Sequence, residues 1–277
     1  MITYDPKNWI RILLDFPRSP VFRTLFLDVV GAGAYAALVV WAEGAAGIAV
    51  PLGPSFLSIL GIILGLLLVF RTNTAYDRWW EGRRAWGQLV NVSRAISHSL
   101  DAMLPAGHAS RGAYAELVAS FAAALAQHLR TPRSADVPHR PNAIARALFN
   151  QLHADVRDGA LPREAIVACS PLLTSFDDVC GACERIRNTP IPFSYSSYIK
   201  QFVVLYALVL PFGLARDFGN GTVIASMFTF FATMGLELLA TEIEEPFGTD
   251  RNDLPLDDLA DRIARDTRAL LLTARTA

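Results

Sequence analysis

The stretch "SILGIILGLLLVFRTNTAYDRWWEGRRAWG", residues Ser58–Gly87, changes character at one point. Up to Phe70 it carries no charge; from Arg71 onward aromatics and charges interleave. Such a boundary fits a membrane-edge anchor, a nucleic-acid-binding surface, or the cytosolic continuation of a helix that crosses a bilayer. With no Pro or Gly from Arg71 to Glu81, the helix is predicted to run on past the apolar part. Within that part Ile62, Leu66 and Phe70 fall at four-residue steps on one face, with Gly61 and Gly65 on the neighbouring strip. Small residues let backbones approach closely, so the bulky stripe faces something else. It meets lipid or a neighbouring helix, or several copies gather round an axis and the stripe becomes a hydrophobic constriction. The last arrangement requires a homo-oligomer.

Working outward, 52% of the 277 residues are hydrophobic and the mean hydropathy is +0.31, too apolar for an ordinary soluble protein. Net charge is -1, but Glu242–Asp266 holds nine acids against three arginines while Arg71–Arg94 holds five arginines against Asp77 and Glu81. An asymmetry this local implies no nucleic-acid partner. The N-terminus lacks the apolar core and small-residue cleavage site of a secretory signal.

Four apolar segments stand out, predicted as transmembrane helices over about 24–42, 55–71, 200–215 and 222–240. Buried helices of a large soluble fold are the alternative. Against it, the runs come in two close pairs, each joined by a brief Gly-containing link, "EGAAGIAVPLGP" and "RDFGNG", which reads as two helical hairpins. Lys7, Arg11, Arg18 and Arg23 precede the first segment, Arg71, Arg78, Arg83 and Arg84 follow the second, and Arg185, Arg187 and Lys200 precede the third. The positive-inside bias then puts both termini in the cytoplasm. The remainder, about 72–190 and 243–277, shows helical spacing, as in Leu89, Val92, Ile96, Leu100 and Leu117, Phe121, Leu125, Leu129. We expect an all-α chain with a helical cytosolic body broken at Thr131–Ala143 and at Leu161-Pro162. Asn252 or Asp253 is expected to cap a last helix running to about Leu272, with Pro255 in its first turn.

Signatures of hydrolases, kinases and metalloenzymes are missing, so an enzyme is not expected. The five histidines, His98, His108, His128, His139 and His153, read as scattered surface or core residues rather than ligands, and Cys180 and Cys183 as packed thiols rather than a metal or redox pair. No cofactor and no metal are expected. Two acids lie in apolar segments: Asp28 fits a headgroup-level position, and Glu237 either a buried hydrogen-bonded carboxyl or the vicinity of a pore. Glu81 and Arg84, three apart, are positioned to pair. A carrier using Asp28 or Glu237 and a membrane-anchored enzyme or scaffold are the competing functional classes.

"FRTNTAYDRWWEGRRAWG" (Phe70–Gly87), "GACERIRNTPIPFSYSSYIKQF" (Gly181–Phe202), "LPFGL" (Leu210–Leu214) and "EEPFGTDRNDLPL" (Glu244–Leu256), in this order, resemble the bacterial bestrophin homologues over nearly the whole chain. The resemblance implies a homopentameric ion channel in the bacterial inner membrane, with a central pore, a hydrophobic neck and a cytosolic aperture. The family's neck positions fall on Ile62, Leu66 and Phe70, and a gapless count back from Cys183–Arg185 puts the aperture at Glu164. Relatives often carry an apolar residue there; five glutamates around an axis would favour monovalent cations such as Na+ and K+, with a chloride or other anion channel as the alternative. The expected partners are the lipid bilayer, identical subunits and permeating ions. Eukaryotic members build a calcium clasp from an acidic run after the PFG-like turn. Here Asp250, Asn252, Asp253, Asp257 and Asp258 form no continuous run, so a calcium site is not expected.

Overall fold

The computed structural model describes residues 20–47, 52–132 and 138–273. Among them are eight α-helices and no strand: α1 (Pro20–Ala46), α2 (Pro54–Met103), α3 (Ser110–Arg130), α4 (Arg140–Arg157), α5 (Glu164–Asn188), α6 (Phe193–Phe218), α7 (Gly221–Glu244) and α8 (Leu256–Leu272). Lys7, Arg11, Arg18 and both chain ends, on which the orientation expectation leans, lie outside the described residues.

The change of character at Phe70 does not interrupt the helix: α2 runs unbroken for 50 residues, about 75 Å at the ordinary helical rise. Among the described residues five helices are long and apolar enough to cross a membrane, the four expected segments and α5. α5 differs from the others in where its apolar side goes. Cys169, Leu173, Phe176, Cys180 and Cys183 are buried along one face of it, in a core shared with α3 and α8.

The described chain forms two compact units, and α2 contributes to both. The hairpin unit contains α1, α2 as far as Asp77, and Ile191–Glu244. In it α1 packs on α7 and α6, and α6 packs on α7. Tyr35 of α1 donates its hydroxyl to the Leu208 carbonyl of α6 at 3.0 Å, a polar tie between the two helices. The α6–α7 link is tight: the Gly219 N–H donates to Ala215 O at 2.9 Å, and the next helix begins at Gly221. Gly219 has φ +51°, which other residues adopt only at a cost.

The body contains Arg78–Pro190 and the chain from Glu245 on. α3 sits at its centre, against α8, α4 and α5. Phe121 of α3 and Phe176 of α5 meet edge to face at 5.0 Å between centroids, with Trp86 of α2 fully buried in the same core. The start of α3 has no side-chain cap; instead Arg111, on its second residue, donates to Asp101 Oδ1 at 2.6 Å and to the carbonyls of Leu104 and Pro105. One guanidinium thereby satisfies acceptors left over where α2 ends.

α8 begins differently from expectation. Its N-cap position is Pro255, without a side-chain cap, whereas Asp253 turns back and accepts from the Asp250 N–H at 2.6 Å. Asp257 and Asp258 do occupy the first turn, where negative charge suits the helix dipole.

Candidate functional site

In the hairpin unit α2 has two unlike faces. Leu64 and Leu68 are buried with Ile199 and Val203 of α6, flanked by Tyr206, Phe230 and Met234. The other side carries Ile62, Leu66 and Phe70, which are 72%, 55% and 53% exposed. All three stand on one side of the helix, half or more exposed. The two glycines beside them are not equivalent. A Cβ on Gly61 would sit 3.0 Å from the Tyr206 hydroxyl, whereas one on Gly65 would meet nothing within 4 Å. Close approach therefore explains Gly61 only. The tightest contact of this kind lies elsewhere: a Cβ on Gly213 of α6 would fall 2.1 Å from Leu57 Cδ1 of α2.

One residue beyond the exposed row, Arg71 turns inward. Expected as a charge at the cytosolic face, it is 1% exposed and binds α7. Its Nη2 donates to Glu244 Oε2 at 2.7 Å and to Thr241 Oγ1 at 3.3 Å, and its Nε lies 3.8 Å from Glu237 Oε1. Glu237, fully buried, also accepts from Thr241 Oγ1 at 3.2 Å and faces Lys200 Nζ at 3.7 Å. Of the two readings open for Glu237, the geometry gives the buried, hydrogen-bonded carboxyl. Positions 237, 241 and 244 share one face of α7, which is why a single arginine reaches all of them. Glu244 Oε1 further accepts from the Ile191 N–H at 3.0 Å, a donor left free where Pro190 and Pro192 prevent a helix. Asp28 is exposed on α1.

In the body the family-like motifs converge. Trp79 donates Nε1–H to Asn252 O at 3.0 Å, and a Cβ on Gly82 would press on Phe247 and Pro246 at 3.0–3.2 Å. Arg78 donates to the carbonyls of Ile186 and Thr189 at the end of α5. Glu81 pairs with Arg185 rather than with Arg84, because the tertiary partner supplies a second helix for the carboxylate to bridge. The turn after Phe247 is closed by Asp253, whose Oδ2 lies 2.5 Å from where a Gly248 Cβ would be. Burial raises the Asp253 carboxyl above its ordinary pKa of 3.8. Asp257 accepts both oxygens' worth of hydrogen bonds from Arg130 Nη1 at 2.8 Å. Of the acids in this segment, Asp253 thus closes a turn and Asp257 forms an ion pair with Arg130.

Glu164, the expected aperture residue, is exposed at the first position of α5, three residues before Val167, which is 79% exposed. Cys169, Cys180 and Cys183 are free and buried; burial pushes both the Cys180 and the Cys183 thiols up to about 12, so they pack as neutral groups.

The expectation of scattered histidines needs correction. His128 of α3 and His139, just before α4, both place Nε2 at 2.7 Å from Glu184 Oε1 of α5, with their rings 4.5 Å apart. Spacing in sequence hides this because two helices and the N-cap of a third contribute one residue each. His98, His108 and His153 are not part of the cluster.

Comparison with known proteins agrees with this architecture. Residues 1–269 match the family described as bacterial/fungal bestrophin protein. A voltage-dependent anion channel-forming protein of Synechocystis is 33% identical, covering 96% of this chain and 93% of that protein, and one of Ralstonia nicotianae is 34% identical over 98% and 94%. The crystal structure of a bacterial bestrophin homologue from Klebsiella pneumoniae superposes with a TM-score of 0.81 at 27% identity, covering 89% of this chain and 98% of the other. Taken with its long apolar helices, this chain is a membrane protein that belongs to the bacterial/fungal bestrophin family.

Proposed function

We propose that the protein is an anion-conducting channel of the bacterial inner membrane, assembled from five copies around an axis lined by α2. Four helices of each copy span the bilayer, α1, α2, α6 and α7, with both termini cytoplasmic. Ile62, Leu66 and Phe70 form the neck. The observation that carries this reading is the exposure of these three bulky residues on one side of a helix whose opposite side is anchored against α6. Rings of hydrocarbon at successive turns narrow a pore and gate it by the ease with which water leaves.

The neck carries no charge, so it does not choose between ions. The expectation of monovalent cations leaned on Glu164, and the relatives favour the alternative: those named above are called anion channel-forming proteins. Glu164 keeps its proposed place at the cytosolic aperture, supported by its exposure at the start of α5, as a negative charge that restrains anion flow there. Family membership and channel-forming relatives also mean that the chain is not an enzyme.

The test is electrical. Purified protein in planar bilayers should give unitary currents whose reversal potential in asymmetric sodium chloride lies on the chloride side. Glu164→Gln should raise anion conductance. A reversal potential on the sodium side that moves toward zero in Glu164→Gln would restore the cation reading. Leu66→Ala and Phe70→Ala should each raise conductance, and currents unchanged by both would remove the neck assignment.

A further inference from the structure

We propose that His128, His139 and Glu184 form a binding site for a divalent transition-metal ion, Zn2+ being the best match, that ties three helices of the body together. Their ligand atoms, one from each residue, all lie within 4.8 Å of one another. They come from the end of α3, the start of α4 and the last third of α5, so a single ion would link elements far apart in sequence. No other group of three such side chains converges in this way among the described residues.

The donor set decides the class of ion. Two imidazole nitrogens and one carboxylate oxygen suit zinc and its neighbours in the transition series, whereas calcium and magnesium prefer oxygen throughout. Three protein ligands leave a fourth tetrahedral position for water. The side chains of His128, His139 and Glu184 are 23%, 33% and 29% exposed, so an ion enters from solvent without unfolding the body. Glu184 Oε1 already faces both imidazole nitrogens, each Nε2 lying 2.7 Å from it, so the carboxylate is aimed at the point the two rings share.

Geometry and protons are both close to what an ion requires. Tetrahedral coordination with bonds of about 2.0–2.1 Å separates neighbouring ligand atoms by roughly 3.3 Å, so each 2.7 Å contact opens by about 0.6 Å. His139 Nδ1 accepts the Asn142 N–H at 3.2 Å, which places the proton of its neutral ring on Nε2, where it donates to Glu184. An ion bound at Nε2 replaces that proton; the ring then carries its hydrogen on Nδ1 and gives up the bond from Asn142. Arg187 fixes the backbone of His128 by donating Nη1–H to its carbonyl at 2.9 Å.

The cysteines are the rival ligands in the same body. Cys180 and Cys183 are buried in the core of the body and are not among the three side chains whose ligand atoms converge.

The full-length protein, purified in detergent and stripped with a chelator, is titrated with Zn2+ against a chromogenic competitor. One ion per chain is expected to bind and to raise the melting temperature. Glu184→Gln, His128→Gln and His139→Asn should each weaken binding by about tenfold or more; asparagine at 139 still supplies an N-cap acceptor, so its fold is kept. The Cys180→Ala/Cys183→Ala double variant should bind as the parent does, and Co2+ in the parent should show no thiolate charge-transfer band. No binding by the parent, binding untouched by all three ligand variants, or binding lost with the cysteines would each overturn the proposal.

Discussion

Arg71 and Glu237 face each other at 3.8 Å inside the hairpin unit, both about 1% exposed, one residue past the apolar row of α2 and two turns before the end of α7. Two charges removed from water persist only where each is compensated, and here Glu244 and Lys200 complete the set.

Arg71→Met should therefore destabilise the protein by about 3–5 kcal/mol, since it strands Glu237 with only a half-exposed lysine 3.7 Å away. Glu237→Gln should cost less, because Glu244 still neutralises Arg71 at 2.7 Å. Arg71→Lys should not rescue, as an ammonium cannot reach Glu237, Thr241 and Glu244 together. Thermal unfolding in detergent, followed by size-exclusion chromatography, ranks the three; equal losses would contradict this account.

Gly213 is where α6 comes closest to α2. Gly213→Ala should destabilise by about 1–3 kcal/mol, the ordinary cost of overpacking, because its methyl would fall 2.1 Å from Leu57 Cδ1. Leu57→Ala in the same chain should recover part of the loss. Failure of the double variant to improve on Gly213→Ala would show that the strain lies in the backbone.

The body should respond to acid through two carboxyls of opposite sign. Asp253 is raised above 3.8 by burial, so the unfolded chain gives up its proton first and stability falls as pH climbs from about 3.8 through the raised value. Glu184 is lowered, so it contributes stability above 4.5 that is lost as pH falls through its folded value. Asp253→Asn should flatten the first trend and Glu184→Gln the second, read from melting temperature against pH.

Buried neutral thiols react slowly. Alkylation of Cys169, Cys180 and Cys183 by a maleimide at neutral pH should be negligible in the folded protein and complete in denaturant, as mass spectrometry would record. Rapid labelling of Cys180 or Cys183 in the native state would point to a functional pair instead.

Much of the architecture can be read along the chain because it depends on local chemistry. Apolar runs of spanning length, prolines that forbid helix at 190 and 192, and the unbroken good helix formers after Phe70 dictate where helices lie. The stripe of Ile62, Leu66 and Phe70 is legible for the same reason: helical period is a property of neighbours in sequence. Tertiary structure alone decided the partners. Arg71 looks like any arginine at a membrane boundary until α7 places Glu237 and Glu244 beside it. Glu81 chose Arg185 over the arginine three residues away, and Asp253 closed a turn rather than capping a helix. His128, His139 and Glu184 lie 11 and 45 residues apart and meet because three helices share one core. Spacing along a chain carries information only as far as a turn or two of helix; beyond that, which polar groups meet is settled by how apolar faces pack.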